Sequence, residues 1–186
     1  MQIYFDGTVL ETYPTQIAKV YEVILQEPVK PDEPLQTDFG GIHETDDFIL
    51  TISSEFGVYS TEEPITIWAT LEYIGEQDSI TIWHGLPFIT FSISDGRDFV
   101  TEPVVIEVLE STDLLPGKVY HFDFQKSGSW SSADPKADFW EGFFGEEELF
   151  LPSGNYTVTV YGAFSTTETM TASPSGLNAR ITILVE

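Results

Sequence analysis

The segment LPSGNYTVTVYG, residues 151–162, constrains the fold most strongly. After a turn at residues 152–154, the apolar side chains of Tyr156, Val158 and Val160 alternate with threonines. In a β-strand successive side chains point to opposite faces, so this alternation is typical of a strand with one face against a core. The segment therefore predicts an antiparallel strand entered through a tight turn.

Similar segments recur along the chain from residue 48 onward. The predicted strands are FILTISS (48–54), ITIWATLEYI (65–74), SITIW (79–83), FITFSI (88–93), VVIEVLE (104–110), VYHFDF (119–124), YTVTVYGAF (156–164) and RITILVE (180–186). Gly, Pro and Asp residues separate them, with the chemistry that turns require. Eight short strands spaced in this way predict an all-β fold, an immunoglobulin-like antiparallel β-sandwich.

One long connection, between residues 124 and 156, has helical features. Asp134 is suited to cap a helix, Pro135 to its first position and Gly145 to its end. Aromatic residues four apart form a stripe that covers the open end of the sandwich or contacts a partner. The contact candidates are Trp130, Phe139, Trp140, Phe143 and Phe144. We therefore predict one short helix in a long loop.

The first 47 residues differ in composition from the rest. Residues 3–10 predict a hairpin around Asp6-Gly7, and residues 17–25 fit either a helix or a strand. Residues 27–47 combine prolines with acidic side chains, which is typical of an extended, solvated linker. We predict two parts: an N-terminal arm with an acidic Pro-rich linker (1–47) and the sandwich (48–186).

The charge of the chain limits its partners. Its 31 acidic and 7 basic side chains give a net charge of −24, which repels nucleic acid and anionic membrane surfaces. No apolar run approaches the length of a membrane-spanning helix, so we expect no membrane insertion by this chain. A protein partner or a proteinase is the expected partner, and the pattern indicates no particular oligomeric state.

Motifs for catalysis or for tight metal binding are missing from the sequence. It contains no cysteine, its three histidines lack metal-ligand spacing, and it has no Gly-x-Ser-x-Gly nucleophile turn. Calcium is the ion that its acidic loops suit best, although none follows the EF-hand pattern. The calcium candidates are Asp46/Asp47, Asp95/Asp98 and Glu146/Glu147/Glu148. We predict no catalytic, cofactor or metal residues, and no enzyme.

Two tryptophans raise the question of an exposed aromatic surface. Trp68 and Trp83 occur in similar ITIW contexts, opposite the isoleucines that we assign to the core. They are expected either to form an outward ligand platform or to pack beneath the arm or the long connection.

Three segments carry a family resemblance. SISDGRDF (92–99), LLPGKVYHFDF (114–124) and LPSGNYTVTVYG (151–162) resemble, in order and turn chemistry, the BsuPI-like intracellular proteinase inhibitor domains of Gram-positive bacteria. The resemblance spans about residues 48–164. It implies an immunoglobulin-like sandwich and inhibition of a serine proteinase by a surface loop, for which loops 94–103 and 126–133 are the candidates. Related modules occur in exported lipoproteins.

These observations lead to three functional hypotheses. The first is a non-enzymatic binding module of a bacterial cell-surface or exported protein. The second is a serine proteinase inhibitor, and the third is a hydrolase that acts through paired carboxylates. No signal peptide follows Met1, so the first hypothesis places the export signal outside this chain, and a cytoplasmic location is the alternative.

Overall fold

The computed structural model describes residues 39–168 and 176–186 in full, together with the backbone of residues 2–5 and 8–9. The predictions for segment 17–25 and for linker residues 27–38 lie outside the described residues.

Thirteen strands and one helix make up the described part of the chain. The strands are β1 (Gln2–Phe5), β2 (Thr8–Val9), β3 (Gly40–Glu44), β4 (Phe48–Ser54), β5 (Val58–Tyr59), β6 (Ile67–Tyr73), β7 (Ile80–Ser94), β8 (Val100–Thr101), β9 (Ile106–Leu114), β10 (Val119–Asp123), β11 (Ser127–Trp130), β12 (Gly154–Ser165) and β13 (Asn178–Val185). The helix is α1 (Ala137–Gly145).

The strands form two main sheets and one small one. The four-stranded sheet has the order β10-β6-β4-β3, and the six-stranded sheet has the order β5-β13-β12-β7-β8, with β9 also paired to β7. In a three-stranded sheet of order β11-β1-β2, the N-terminal strands β1 and β2 join β11, which lies in the connection that also carries α1. Strands β5 and β13 pair in parallel, whereas the other pairs are antiparallel. The predicted all-β sandwich with one short helix is confirmed.

The core lies between the two main sheets, as the alternation predicts. Every second residue of β4 and β6 is buried, and Tyr156, Val158 and Val160 of β12 are 3% exposed or less. Aromatic pairs join the sheets: the ring centroids of Phe48 and Phe164 are 5.2 Å apart. Such edge-to-face pairs stabilise the core by about 0.5–1.5 kcal/mol beyond the area they bury.

Strand β7 differs from the sequence prediction. Segments 79–83 and 88–93 were predicted as two strands with a turn at His84-Gly85, but they form one strand of 15 residues. The expected turn at His84-Gly85 is instead a β-bulge within this strand. The pairing with β9 shifts register there, between His84 and Leu86. Gly85 is required there, since a Cβ atom would collide with the carbonyl oxygen of Ile106.

The four-stranded sheet extends into the predicted linker. Strand β3 pairs with β4 from Gly40 opposite Ser53 to Glu44 opposite Ile49, so the sandwich begins before residue 48. The hairpin turn is held by Thr45, whose hydroxyl accepts the N–H of Phe48 at 3.0 Å. In the predicted hairpin at residues 3–10, β1 and β2 pair as expected.

The helix begins later than predicted. Pro135 was expected at its first position, but α1 starts at Ala137 with Lys136 as N-cap. Asp134 forms a separate turn first: its carboxylate accepts the N–H of Lys136 at 2.7 Å, and its carbonyl accepts that of Ala137 at 3.0 Å. The aspartate therefore organises the entry to the helix instead of capping it.

Candidate functional site

The connection between β10 and β12 packs onto one end of the sandwich through an aromatic cluster. Phe99, next to β8, lies at its centre. Its ring centroid is 5.4 Å from that of Trp140, 5.5 Å from that of Phe143 and 5.5 Å from that of Tyr156. The rings of Trp130 and Phe144 stack nearly parallel at 5.6 Å, which fastens α1 to β11.

The five predicted contact residues differ in exposure. Trp130, Trp140, Phe143 and Phe144 are at most 9% exposed and belong to the core, whereas Phe139 is 39% exposed. Four of these side chains therefore hold the connection in place. Of this set, Phe139 is the one with substantial surface to offer a partner.

A buried lysine caps the C-terminal end of α1. Lys126 is 4% exposed, and its Nζ donates to the carbonyl oxygens of Phe143 at 2.8 Å and Glu146 at 2.7 Å. The last carbonyls of a helix lack partners within the helix and carry partial negative charge, so a cation is favoured there. Burial lowers the pKa of Lys126 to about 8, against the opposing effect of Glu146.

The loop between β7 and β8 is fixed from within. The carboxylate of Asp95 accepts the N–H groups of Arg97 at 2.8 Å and Phe99 at 3.0 Å, and these bonds lower its pKa. Gly96 has a φ of +73°, a conformation that other residues rarely adopt. Because Phe99 is anchored in the aromatic cluster, the loop presents Gly96, Arg97 and Asp98 to solvent on a rigid support.

The two tryptophans of the ITIW segments lie on different sheets. Trp68 is on β6 of the four-stranded sheet, where its ring is nearly parallel to that of His121 at 6.5 Å. Trp83 is on β7 of the six-stranded sheet, opposite Ser111 of β9. Both are half-buried, and their separate locations exclude one platform made of the two rings.

Among the described residues, no three His, Asp or Glu side chains are placed to hold a metal ion. The calcium candidates lie in three separate places: the β3–β4 turn, the β7–β8 loop and the segment after α1. Asp95 already binds backbone N–H groups.

His84 is completely buried in the bulge of β7. Its Nδ1 lies 2.8 Å from the carbonyl oxygen of Gly85, and its Nε2 lies 2.9 Å from the hydroxyl of Thr112. Since a carbonyl only accepts, Nδ1 carries the proton in the neutral ring. Burial lowers the pKa of His84, although the Gly85 carbonyl and the charge of Glu110 oppose this effect.

A groove of about 490 Å³ lies on the outer face of the six-stranded sheet. Its floor is formed where Tyr161 of β12 stands in register between Thr90 of β7 and Asn178 of β13. One wall comes from β8 and the residues that follow it, and the other from the start of β13. The described residues that line it are Thr90, Ser92, Val100, Thr101, Glu102, Pro103, Tyr161, Gly162, Ala163, Gly176, Leu177 and Asn178.

The groove combines carbon surface with a few polar groups. Val100 is 51% exposed and Tyr161 is 39% exposed, so both present surface to an incoming molecule. Glu102 is exposed and supplies a carboxylate, whereas the hydroxyl of Thr101 is occupied by the N–H of Ile93 at 2.9 Å. No sequence motif marked this surface, because its described residues come from four strands and two connections. The alternation of Thr and Tyr on the outer face of β12 was the available signal.

Comparisons with known proteins add little to this picture. No protein-family model matches the chain, and no curated protein matches it significantly. A solved β-glucosidase from Erythrobacter marinus is similar at 12% identity and a TM-score of 0.37, over 75% of this chain and 15% of that chain. Likeness at this level supports neither membership of a family nor a shared function. No helix among the described residues is long and apolar enough for a membrane crossing.

Proposed function

We propose that this protein is a non-enzymatic binding module whose ligand site is the groove on the outer face of the six-stranded sheet. The observation that carries the proposal is the groove itself. Its volume of about 490 Å³ falls in the range of small-ligand sites. Such sites are lined mainly by carbon atoms, with a few polar groups that fix orientation, and this lining has that composition.

The floor of the groove is supported by paired strands. Thr90, Tyr161 and Asn178 sit on β7, β12 and β13, which pair along their lengths. A site on such strands loses little conformational entropy when a ligand binds, because its floor is already ordered.

The lining supports binding over catalysis. Within the part of the chain that the structure describes, the lining contains one carboxylate, that of Glu102, whereas the alternative of a carboxylate-dependent hydrolase needs two acidic groups about 5–10 Å apart. We further propose an exported or cell-surface location, since the acidic Pro-rich stretch before the sandwich suits a tether. A cytoplasmic location is the alternative.

A fragment screen by NMR on the ¹⁵N-labelled full chain tests the proposal. We expect hits that shift the amide signals of groove residues, and loss of those shifts in Ala163→Phe, which fills the groove. Thr157→Phe is the matched control, since Thr157 lies on the same face of β12 outside the groove. Hits that bind elsewhere, or that bind Ala163→Phe unchanged, would contradict the proposal.

Proteinase inhibition is the second candidate, and the β7–β8 loop favours it. This loop presents exposed Arg97 on a backbone held by Asp95 and Phe99. Rigidity lowers the entropic cost of entering a proteinase cleft. The other candidate loop, 126–133, is less suited because Lys126, Ser127, Gly128 and Trp130 are buried.

A panel of subtilisin-like and trypsin-like proteinases tests this second candidate. If Arg97 enters the specificity pocket, a trypsin-like enzyme is inhibited and Arg97→Ala loses most of the effect. Lys118→Ala removes another basic side chain away from this loop and serves as the control. Absence of inhibition across the panel would exclude the hypothesis for these two classes of proteinase.

A further inference from the structure

The charge of the groove points to a class of ligand, and this step rests on the proposed function. Among the described residues of the lining, Glu102 is the one that is charged, and none is a Lys, Arg or His. The whole chain carries a net charge of −24, so its field attracts cations and repels anions. A ligand with a positive group is therefore favoured over an anionic one.

The carbon surface of the groove indicates what should accompany that positive group. Tyr161 and Val100 are both well exposed, and the half-buried Pro103 and Ala163 add apolar lining. An alkyl chain can lie against this surface, while an ammonium group is also attracted to the face of a tyrosine ring. An apolar stem that ends in a cation satisfies both parts of the groove.

We propose that the groove receives a lysine side chain of a partner protein, with its ammonium group at the Glu102 carboxylate and its stem against Tyr161 and Val100. The strands beneath the groove fix the tyrosine, and the exposed glutamate supplies the charge that selects the ammonium. The partner is accordingly a basic protein that presents at least one protruding lysine to this face of the sheet.

Paired ligands that differ only in charge test this assignment. The ¹⁵N-labelled full chain is titrated at low ionic strength with Nα-acetyl-lysine methylamide and with its neutral analogue, Nα-acetyl-norleucine methylamide. We expect the lysine compound to shift the amide signals of Glu102, Gly162 and Leu177, and to bind at least fivefold more tightly than the norleucine compound. Glu102→Gln should abolish that difference.

A control variant tests whether the preference for the lysine compound depends on Glu102 in particular. Glu107→Gln removes another exposed carboxylate, which is not among the described lining residues, and should leave the preference intact. Equal binding of both compounds in the groove would overturn the lysine assignment and leave the binding module standing. Shifts spread over the acidic surface, or unchanged in Glu102→Gln, would also overturn it. So would a groove that binds an amino sugar or another fragment but neither of these two compounds.

Discussion

Replacing Lys126 by methionine tests how the helical connection is held to the sandwich. Methionine keeps most of the buried stem but removes the ammonium group that donates to Phe143 and Glu146. A typical hydrogen bond contributes about 1 kcal/mol net, so the loss of two should lower the free energy of unfolding by about 2 kcal/mol at pH 7. Lys126→Ala also removes three methylene groups, at about 0.8 kcal/mol each, and should cost about 4 kcal/mol.

The difference in stability between the wild type and Lys126→Met should also change with pH in a definite direction. Lys126 has a pKa of about 8 when folded, against its ordinary value of about 10.5 when unfolded. Between these values the unfolded chain binds more protons, so the stability of the wild type rises with pH relative to Lys126→Met. One pH unit above the folded pKa, this relative gain should be about 1 kcal/mol.

Urea-induced unfolding at pH 7 and pH 9 measures both effects. Every other side chain is the same in both proteins, so the difference between wild type and Lys126→Met isolates Lys126. A variant within 0.5 kcal/mol of the wild type at pH 7 would refute the capping role. A difference that shrinks as pH rises would refute the assignment of the lowered pKa to burial.

Four other substitutions have effects whose directions are fixed by the structure. Because burial lowers the pKa of His84, the neutral ring's contribution to stability is lost as pH falls below about 6.5. The melting temperature should therefore fall less steeply with decreasing pH in His84→Gln than in the wild type. Equal dependence of the two melting temperatures on pH would contradict this. Gly142→Ala should stabilise α1 by about 1 kcal/mol because a Cβ there meets nothing within 4 Å. Gly41→Ala should instead destabilise the protein by several kcal/mol, because its Cβ would collide with the Arg180 backbone; similar unfolding midpoints for the two variants would refute the packing argument. Phe99→Ala should cost about 3–5 kcal/mol in urea unfolding, since it empties the centre of the aromatic cluster; a cost below 1 kcal/mol would show that the cluster repacks.

Period-two alternation predicted the strands of the sandwich well because half of each strand faces the core. Strands β4, β6 and β12 follow the pattern closely. Strand β3 was missed because Gly40 and Gly41 carry no side chain, and one of these glycines is needed where β13 approaches the backbone. The short strands β5 and β8, of two residues each, are too brief for any periodicity.

The candidate site could not be predicted because its residues are assembled by tertiary structure. Thr90, Glu102 and Asn178 lie in different segments of the chain and meet only when β7 pairs with β8 and β12, and β12 pairs with β13. The aromatic stripe of α1 was visible in the sequence, but its spacing fits a helix packed on the protein as well as one that contacts a partner. Burial of Trp140 and Phe144 distinguishes these roles, and burial depends on where Phe99 and Trp130 lie.

The parallel pairing of β5 with β13 has a consequence for folding kinetics. Val58 lies opposite Leu184, so this contact closes a loop that contains most of the sandwich. Contacts of such long range form late, because the entropy of loop closure must be offset by structure already present. Until β5 docks, the outer edge of β13 stays open to pairing with another chain. We expect the net charge of −24 to act during this interval, by repelling like chains before the last strand of the sheet is in place.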